Sequence, residues 1–250
     1  MKLKDKVAIV SGGARDIGRA VSVKLAAEGA KVAVNYFNSI EDADQTLREI
    51  EAVGGEAILI DGDMTKQEDV DRLIAETNAA FGGKIDILVN VVGGLVARKT
   101  LQEMDADFFD FLMKLNVTST FMVTKATVPF MGAGGSIINF ASQAGRDGGG
   151  PGASAYASAK GAVMTFTRAM AKELGAANIR VNSLCPGMIS TAFHDTFTKD
   201  AVRANVANAT ALKREGGANE VADTVAYLAS EESSFLTGVN LDINGGLYYS

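Results

Sequence analysis

Short apolar runs rich in Val, Ile and Leu alternate with longer amphipathic stretches along the chain. The apolar runs lie at residues 7–10, 31–36, 57–60, 85–90, 136–140, 179–184 and 240–243. Each run is short and almost entirely apolar, which is typical of strands covered by helices on both faces. The stretches between them have helical length and period, for example residues 16–28, 41–52 and 155–175. This alternation predicts an α/β fold with one doubly wound parallel sheet of about seven strands and helices on both faces.

The chain shows no linker that would divide it into separate domains. It contains only 3 prolines and no Ser- or Gly-rich run long enough to separate two cores, so we expect a single domain over residues 1–250. Residues 145–152 are dense in glycine and follow the fifth predicted strand. They are either a flexible connection or a loop at the carboxyl edge of the sheet. We favour the second, because loops at that edge hold ligands in open α/β folds.

Composition narrows the class of protein. The apolar share of 47% and the charged share of 22% are those of a soluble globular protein. A net charge of -6 argues against a nucleic-acid partner, because phosphate binding needs clustered Lys and Arg. No apolar run approaches the roughly 20 residues that span a bilayer. Cys185 is the only cysteine, and one Cys with one His cannot build a structural zinc site. We therefore expect a cytoplasmic protein with no metal, nucleic-acid or membrane partner.

A glycine-rich turn connects the first predicted strand to the first predicted helix. Glycines let the backbone approach a pyrophosphate, and the free N–H groups and positive dipole end of the following helix bind the anion. The position of the turn between a strand and a helix makes a dinucleotide site the favoured interpretation. The residues expected to bind are Gly12, Arg15, Asp16, Ile17 and Gly18. The carboxylate of Asp16 would weaken this binding unless it turns away from the pyrophosphate.

The end of the second predicted strand distinguishes the two nicotinamide nucleotides. An acidic residue there accepts hydrogen bonds from the adenosine ribose and repels a 2′-phosphate. Tyr36 occupies that position, and no carboxylate occurs before Glu41. Asn38 and Ser39 offer neutral donors, and Arg15 supplies a cation. A helix-capping role for Asn38 and Ser39 is the alternative, and the two roles are compatible. We therefore expect NADP(H) rather than NAD(H).

Tyr156 and Lys160 begin the helix that follows the glycine-dense segment. Their spacing places them one turn apart on one helix face. A free Tyr has a pKa of about 10, and a nearby ammonium favours the phenolate, which makes the Tyr a usable general acid or base. Taken alone, the pair also suits a half-exposed helix face. Ser142 at the end of the fifth strand and Asn116 in an otherwise apolar helix complete a polar set, although Asn116 could serve a local hydrogen bond.

These motifs together resemble the short-chain dehydrogenase/reductase family, and in particular its 3-oxoacyl-carrier-protein-reductase-like members. The glycine turn is similar to the family's Thr-Gly-x-x-x-Gly-x-Gly, with Ser11 in place of Thr and Asp16 where the family usually has its middle Gly. The family's catalytic tetrad is matched in order and approximate spacing by Asn116, Ser142, Tyr156 and Lys160. The resemblance covers nearly the whole chain. It implies a Rossmann-type fold with a cofactor half at about 1–140 and a catalytic and substrate half at about 141–250.

The resemblance also implies a reaction, the interconversion of a ketone or aldehyde and an alcohol by hydride transfer. Tyr156 is expected to exchange a proton with the carbonyl oxygen, which Ser142 also binds. Lys160 is expected to lower the pKa of Tyr156 and to hold the nicotinamide ribose. Asn116 is expected to anchor a water that links Lys160 to solvent.

Further cofactor residues are implied at three strand ends. Asp63 and Met64 follow the third predicted strand, where the family places an Asp beside the adenine; capping is the alternative role of Asp63. Asn90 and Gly93 match the family's Asn-Asn-Ala-Gly after the fourth strand, and we expect Asn90 to be more structural than catalytic. Tyr156 and Lys160 also face the cofactor in the family. The family's Pro-Gly turn and its contacts with the nicotinamide carboxamide are matched by Pro186, Gly187, Ile189 and Thr191.

The segment 192–217 occupies the position of the family's substrate lid. Its cations, together with the glycine-dense loop, predict a polar, cation-bearing pocket, although each of these residues also suits a solvated position. The candidate substrate residues are Gly94, Gln143, Arg146 and His194. We favour a small polar keto-sugar or keto-acid substrate, and a 3-oxoacyl group on acyl carrier protein is the second hypothesis.

Two further expectations concern the protein as a whole. A nicotinamide-binding sensor without catalysis is a hypothesis from another class, and it is disfavoured because all four tetrad positions are filled. Because the family is usually tetrameric and residues 247–250 are apolar enough to pack on a neighbour, we expect a homo-oligomer, a tetramer by resemblance.

Overall fold

A computed structural model of the protein describes residues 1–192 and 198–250. Its strands are β1 (Val7–Ser11), β2 (Lys31–Tyr36), β3 (Glu56–Asp61), β4 (Ile87–Asn90), β5 (Ser136–Phe140), β6 (Arg180–Pro186) and β7 (Asn240–Ile243). All pair in parallel, in the order β3-β2-β1-β4-β5-β6-β7. The predicted seven-stranded, doubly wound parallel sheet is confirmed. Uniform apolar runs were a reliable signal here, because a strand covered on both faces has no solvent side to mark with polar residues.

Helices cover the two faces of the sheet. They are α1 (Asp16–Ala27), α2 (Ile40–Ala52), α3 (Gln67–Phe81), α4 (Ala106–Met113), α5 (Ser119–Thr127), α6 (Ala144–Asp147), α7 (Ser154–Leu174), α8 (Asp200–Ala209) and α9 (Ala218–Ala229). A π-helical turn, Lys114–Thr118, joins α4 to α5. Within the described parts of the chain, no helix is both long and apolar enough to cross a membrane.

Consecutive residues of β1 point to two different cores. Ala8 and Val10 pack with α1 and α9 on one face, whereas Ile9 packs with α3 and α7 on the other. All three side chains are fully buried, and burial of each large aliphatic side chain stabilises the fold by about 1.5–3 kcal/mol. The sheet is therefore fixed from both sides, which makes its carboxyl edge a rigid base for the loops that follow the strands.

The strand order reverses between β1 and β4. β1 pairs with β2 on one side and with β4 on the other, so the connections leave the sheet in opposite directions at this point. A crevice opens between the loops at such a switch point, and open α/β sheets bind ligands there. The loops after β1, β4, β5 and β6 all reach this edge.

The glycine-dense segment 145–152 is only partly a loop. Its first three residues belong to α6, which ends at the left-handed Gly148. The remainder is held by the loop after β4, because the Lys99 amide donates to the Gly152 carbonyl at 3.1 Å and Arg98 donates to the Pro151 carbonyl at 3.1 Å. The segment does lie at the carboxyl edge of the sheet, between β5 and α7.

Candidate active site

The glycine turn after β1 has no room for side chains. A Cβ on Gly18 would lie 2.0 Å from the Gly12 carbonyl oxygen, and a Cβ on Gly13 would lie 2.7 Å from the Ser22 hydroxyl. Arg15 is the N-cap residue of α1, and within the described residues its side chain accepts no hydrogen bond from the helix backbone. The N–H groups of the first helical turn are therefore available to a ligand. A tight backbone turn facing an uncapped helix end fits a pyrophosphate.

Asn35, which the sequence analysis did not single out, supports this turn from beneath. Its side chain is almost completely buried, and its Oδ1 accepts from the Gly12 amide at 3.1 Å. Its Nδ2 donates to the Gly62 carbonyl at 3.0 Å, so one amide fixes the loop after β1 against the loop after β3. The available signal was a polar residue at a position of β2 flanked by apolar ones, where burial requires hydrogen-bond partners.

Asp16 has an unusual backbone and an unexpected partner. Its φ is 50°, in the left-handed region that Gly, Asn and Asp tolerate best. Its Oδ1 accepts a hydrogen bond from the amide of Ala192, 176 residues further along the chain, at 3.0 Å. The carboxylate is therefore directed at the segment that follows β6.

The residues after β2 form a small polar network. Ser39 is the N-cap residue of α2, and its hydroxyl donates to Oδ2 of Asp42 at 2.6 Å. Arg19 donates to Oδ1 of the same carboxylate at 2.9 Å. The hydrogen bond from Ser39, followed by the charges of Arg19 and Arg15, holds the pKa of Asp42 below its usual value. Asn38, at φ 57°, takes the left-handed conformation before this cap. Asp42 is thus a carboxylate near Ser39 that the sequence argument did not consider.

Asp63 and Asn90 make internal contacts. Oδ1 of Asp63 accepts from the amide and the hydroxyl of Thr65 at 2.9 and 2.8 Å, which closes a local turn before α3, and Met64 beside it is buried. Nδ2 of Asn90 donates to Asn139 on the neighbouring strand at 2.9 Å and to Thr124 of α5 at 3.1 Å. The Asn90 side chain thus ties the sheet to the helix layer.

Helix α7 brings Tyr156 and Lys160 to the end of β5. Nζ of Lys160 donates to the carbonyl oxygen of Phe140 at 2.7 Å and lies 5.8 Å from the centre of the Tyr156 ring. The side chain of Ser142, just after β5, forms a hydrogen bond with the Tyr156 hydroxyl. The Ser142 hydroxyl also accepts from the Ala144 amide at 3.1 Å, which orients it. The structure therefore brings these three predicted residues together at one point.

Burial determines the titration of this cluster. It lowers the pKa of Lys160 to about 8, since this residue is only 4% exposed. It raises the pKa of Tyr156 above its usual value, and the hydrogen bond from Ser142 opposes this only in part. Burial and the hydrogen bond from Ser142, and not the charge of Lys160, determine the direction of this shift, so the lowering of the Tyr156 pKa by Lys160 stays a prediction. Tyr156 is protonated at neutral pH, as a proton donor must be.

Asn116 lies in the π-helical turn between α4 and α5. The carboxamide is fully buried and clamps Gly94: Oδ1 accepts from the Gly94 amide at 2.9 Å, and Nδ2 donates to the Gly94 carbonyl at 3.0 Å. Nδ2 also donates to the Leu112 carbonyl at 2.9 Å. A Cβ on Gly93 would lie 2.5 Å from Oδ1 of Asn116 and 2.9 Å from Nζ of Lys160. Only a glycine at position 93 leaves space for both side chains.

The turn after β6 is fixed on two sides. The Gly187 amide donates to the Ile243 carbonyl at 3.0 Å, and a Cβ on Gly187 would lie 2.7 Å from the Cβ of Asn244. Ile189 is buried and forms a bridge with Gly216. Thr191 donates from its hydroxyl to the Ile189 carbonyl at 3.2 Å. This segment, residues 186–192, forms a wall of the crevice opposite the glycine turn.

Three of the arginines expected to line a cation-bearing pocket are paired with acids of the protein. Arg146 donates through Nε to Asp242 of β7 at 2.6 Å, so its charge is balanced within the sheet, and its role towards a substrate stays a prediction. In the lid segment, Arg203 forms two hydrogen bonds with Glu215, at 2.7 and 2.6 Å. Arg214 is paired in the same way with Glu220, at 2.8 and 2.7 Å. The sequence could not reveal these pairs, because each arginine is matched by an acid on another element or turn.

The other substrate candidates are neutral or not described. Gln143 donates to the Asp147 carboxylate at 2.9 Å, and its Oε1 is buried beside Gly187. Gly94 is positioned by Asn116, with open space where a side chain would be. His194 lies outside the described residues.

A glycine turn at an uncapped helix end, a hydrogen-bonded Ser-Tyr pair and a buried Lys are the features of an oxidoreductase that acts on a carbonyl or an alcohol with a nicotinamide nucleotide. A family model described as enoyl-(acyl carrier protein) reductase matches residues 12–248. A 3-oxoacyl-[acyl-carrier-protein] reductase of Synechocystis sp. is 37% identical over 249 residues, which are 98% of each chain. The chain belongs to the short-chain dehydrogenase/reductase family, as the sequence motifs indicated.

Solved structures of short-chain dehydrogenases have the same fold as this chain. The short-chain dehydrogenase/reductase of Serratia marcescens superposes with a TM-score of 0.93 at 32% identity, over 99% of each chain. A short-chain dehydrogenase of Burkholderia cenocepacia, solved in complex with NADP, superposes with a TM-score of 0.91 at 33% identity, again over 99% of each chain.

Proposed function

We propose that the protein is a cytoplasmic, NADPH-dependent reductase that converts a neutral ketone or aldehyde into an alcohol. The observation that carries the proposal is the hydrogen bond between Ser142 and Tyr156, one helical turn from the buried Lys160. Two hydroxyls at one point can both donate to a single carbonyl oxygen. This oxygen gains negative charge in the transition state, and donors already in place stabilise it without reorganisation.

The chain's own residues supply the proton and the orientation. A bound nicotinamide would supply the hydride. Tyr156, whose phenol is protonated at neutral pH and stays so because burial raises its pKa further, donates its proton to the substrate oxygen. Ser142 holds that oxygen by a second hydrogen bond. Lys160 has a pKa of about 8, close enough to neutral to return a proton to Tyr156, and Asn116 fixes the loop at Gly93 that gives Lys160 its space.

The preference for NADPH rests on the end of β2 and the glycine turn. Tyr36 stands where a carboxylate would select NADH, and Arg15 is exposed beside the turn. Arg15 lies near enough to Asp42 to lower the pKa of that carboxyl, which places the cation close to Ser39. A 2′-phosphate would compete with Asp42 for the Ser39 proton, so the affinity gained from Ser39 is small and Arg15 provides most of the discrimination. The NADP complex of the Burkholderia relative supports this choice.

We infer a substrate that is neutral at the reacting end, because three candidate cations, Arg146, Arg203 and Arg214, are each paired with an acid of the protein. A keto-acid would find no unpaired arginine among these three, which favours a neutral carbonyl compound over a keto-acid. A keto-sugar and a 3-oxoacyl thioester both satisfy the site. The second has independent support, since several relatives at 34–37% identity are named 3-oxoacyl-[acyl-carrier-protein] reductases.

We also propose a homo-oligomer, with a tetramer as the expected state. Exposed aromatic side chains lie along α4 and α5 at Phe109, Phe111 and Phe121, and Tyr249 at the C-terminus is 79% exposed. Such apolar surface is unusual for a helix that faces only water. Sedimentation of the purified protein as a monomer would contradict this assignment.

The test of the proposed function is oxidation of NADPH, beside NADH, against a panel of keto-sugars, keto-acids and an acetoacetyl thioester. We expect turnover with NADPH and one of the neutral carbonyl classes. Turnover with keto-acids alone would refute the argument from the paired arginines, and a preference for NADH would refute the argument from Tyr36 and Arg15. Tight NADPH binding without turnover of any carbonyl would favour the sensor hypothesis instead.

A further inference from the structure

Asp16 stands where the family has a glycine, and its side chain contacts the opposite wall of the crevice. β1 and β6 are separated in the sheet by β4 and β5, a distance of about 14 Å at ordinary strand spacing. The hydrogen bond from the Ala192 amide to Oδ1 of Asp16, at 3.0 Å, closes this gap above the carboxyl ends of the two intervening strands. It therefore crosses the crevice in which the dinucleotide is proposed to lie.

We propose that Asp16 is a positioning residue for the cofactor: it clamps the segment 186–192 across the crevice instead of contacting the phosphates. This inference rests on the proposed binding of a nicotinamide nucleotide. The glycine turn and the segment 186–192 come from opposite ends of the sequence, and each is anchored separately, the first by Asn35 and the second by Ile243 and Gly216. A bond between their tips fixes the width of the opening.

The Asp16 carboxylate has two opposite effects on cofactor affinity, charge repulsion and the hydrogen bond with Ala192. The proposal requires the hydrogen bond to have the larger effect. Its negative charge opposes a pyrophosphate bound at the same turn. Its hydrogen bond with Ala192 removes freedom that the segment 186–192 would otherwise lose on binding, which favours the bound state. If repulsion dominated, the family's glycine would bind NADPH more tightly than Asp16 does. If the clamp dominates, the glycine binds it more weakly.

Two substitutions separate these effects without straining the backbone. Asp16→Gly removes both the charge and the hydrogen bond, whereas Asp16→Asn removes the charge and keeps an acceptor oxygen. Gly, Asn and Asp all tolerate the φ of 50° found here, so neither variant strains the backbone, and Asn also matches Asp in backbone freedom. Asp16→Asn is therefore the matched control.

The first measurement is the Kd of NADPH for the parent and both variants, by titration calorimetry. We expect Asp16→Gly to raise the Kd by about 3- to 10-fold, the effect of one charge-assisted hydrogen bond at a partly exposed site. Asp16→Asn should keep the Kd within about 2-fold of the parent, or lower it, because the acceptor remains and the repulsion is gone. An Asp16→Gly variant that binds as tightly as the parent, or more tightly, overturns the proposal. So does an Asp16→Asn variant that loses as much affinity as Asp16→Gly.

The second measurement uses the protein without cofactor. Hydrogen exchange of a peptide covering residues 186–192 should be faster in Asp16→Gly than in the parent, and Asp16→Asn should keep most of the protection. Exchange that is equal in the parent and Asp16→Gly would show that the clamp is absent in solution. A parent protein that binds neither NADPH nor NADH refutes the proposed function instead, and the exchange measurement still decides whether the clamp exists.

Discussion

Replacing Lys160 by Met tests the cost of placing a charged side chain in this site. Lys160 is almost completely buried, and its pKa falls from 10.5 to about 8 because burial disfavours the ammonium. The unfolded chain therefore holds this proton up to a higher pH than the folded chain does. Below pH 8 the folded protein bears the full penalty of the buried charge, and the penalty disappears as the pH rises through 10.5.

The difference between the two pKa values fixes the size of the effect. Linkage gives a penalty of about 3 kcal/mol at pH 7, which falls to about 1 kcal/mol at pH 9.5. Lys160→Met removes the penalty at every pH. It also leaves the Phe140 carbonyl without its 2.7 Å hydrogen bond, but that loss does not depend on pH. The stability of the variant relative to the parent should therefore decrease by about 2 kcal/mol between pH 7 and pH 9.5.

The assay is urea unfolding of the parent and Lys160→Met at both pH values, at one ionic strength and one protein concentration. Lys172→Met, an exposed substitution on the same helix, serves as the control, and its stability relative to the parent should not change between the two pH values. The decisive quantity is the free energy of unfolding of Lys160→Met minus that of the parent. If it stays constant or increases between pH 7 and pH 9.5, Lys160 is not a buried cation and the reasoning is refuted.

Two other substitutions test how the site is built. Gly18→Ala should abolish NADPH binding, because its Cβ would lie 2.0 Å from a backbone oxygen, whereas Gly175→Ala, which meets nothing within 4 Å, should leave Kd unchanged in the same titration. Asn116→Ala should lower the free energy of unfolding by about 2–3 kcal/mol, because the backbone groups of Gly94 and Leu112 lose their buried hydrogen-bond partners. A free energy of unfolding equal to that of the parent, measured in urea, would contradict this.

The sequence predicted most of the fold because the strands are uniformly apolar and the helices amphipathic. β2, β5 and β7 have the predicted bounds, while β4 begins two residues later than expected. The π-helical turn Lys114–Thr118 was not predicted, because one extra residue in a helical turn barely alters the hydrophobic period. Local pattern therefore determines the elements, and it misses small departures from ideal geometry.

The grouping of the predicted catalytic residues followed from motifs, but their electrostatics did not. The order of Ser142, Tyr156 and Lys160 placed them at one strand end, where the structure also has them. The direction of the Tyr156 pKa depends on how deeply the site is buried, which spacing alone cannot show. The partners of Arg146 and Asp16 lie 96 and 176 residues away, so only the folded chain reveals them.

The most direct test of the central claim compares the parent with Tyr156→Phe for NADPH binding and for turnover of the best carbonyl substrate. The account predicts that Tyr156→Phe binds NADPH within about 2-fold of the parent and loses about 10²–10⁴-fold in kcat, the usual contribution of a positioned general acid. Turnover by Tyr156→Phe close to that of the parent would contradict the assignment of Tyr156 as the proton donor.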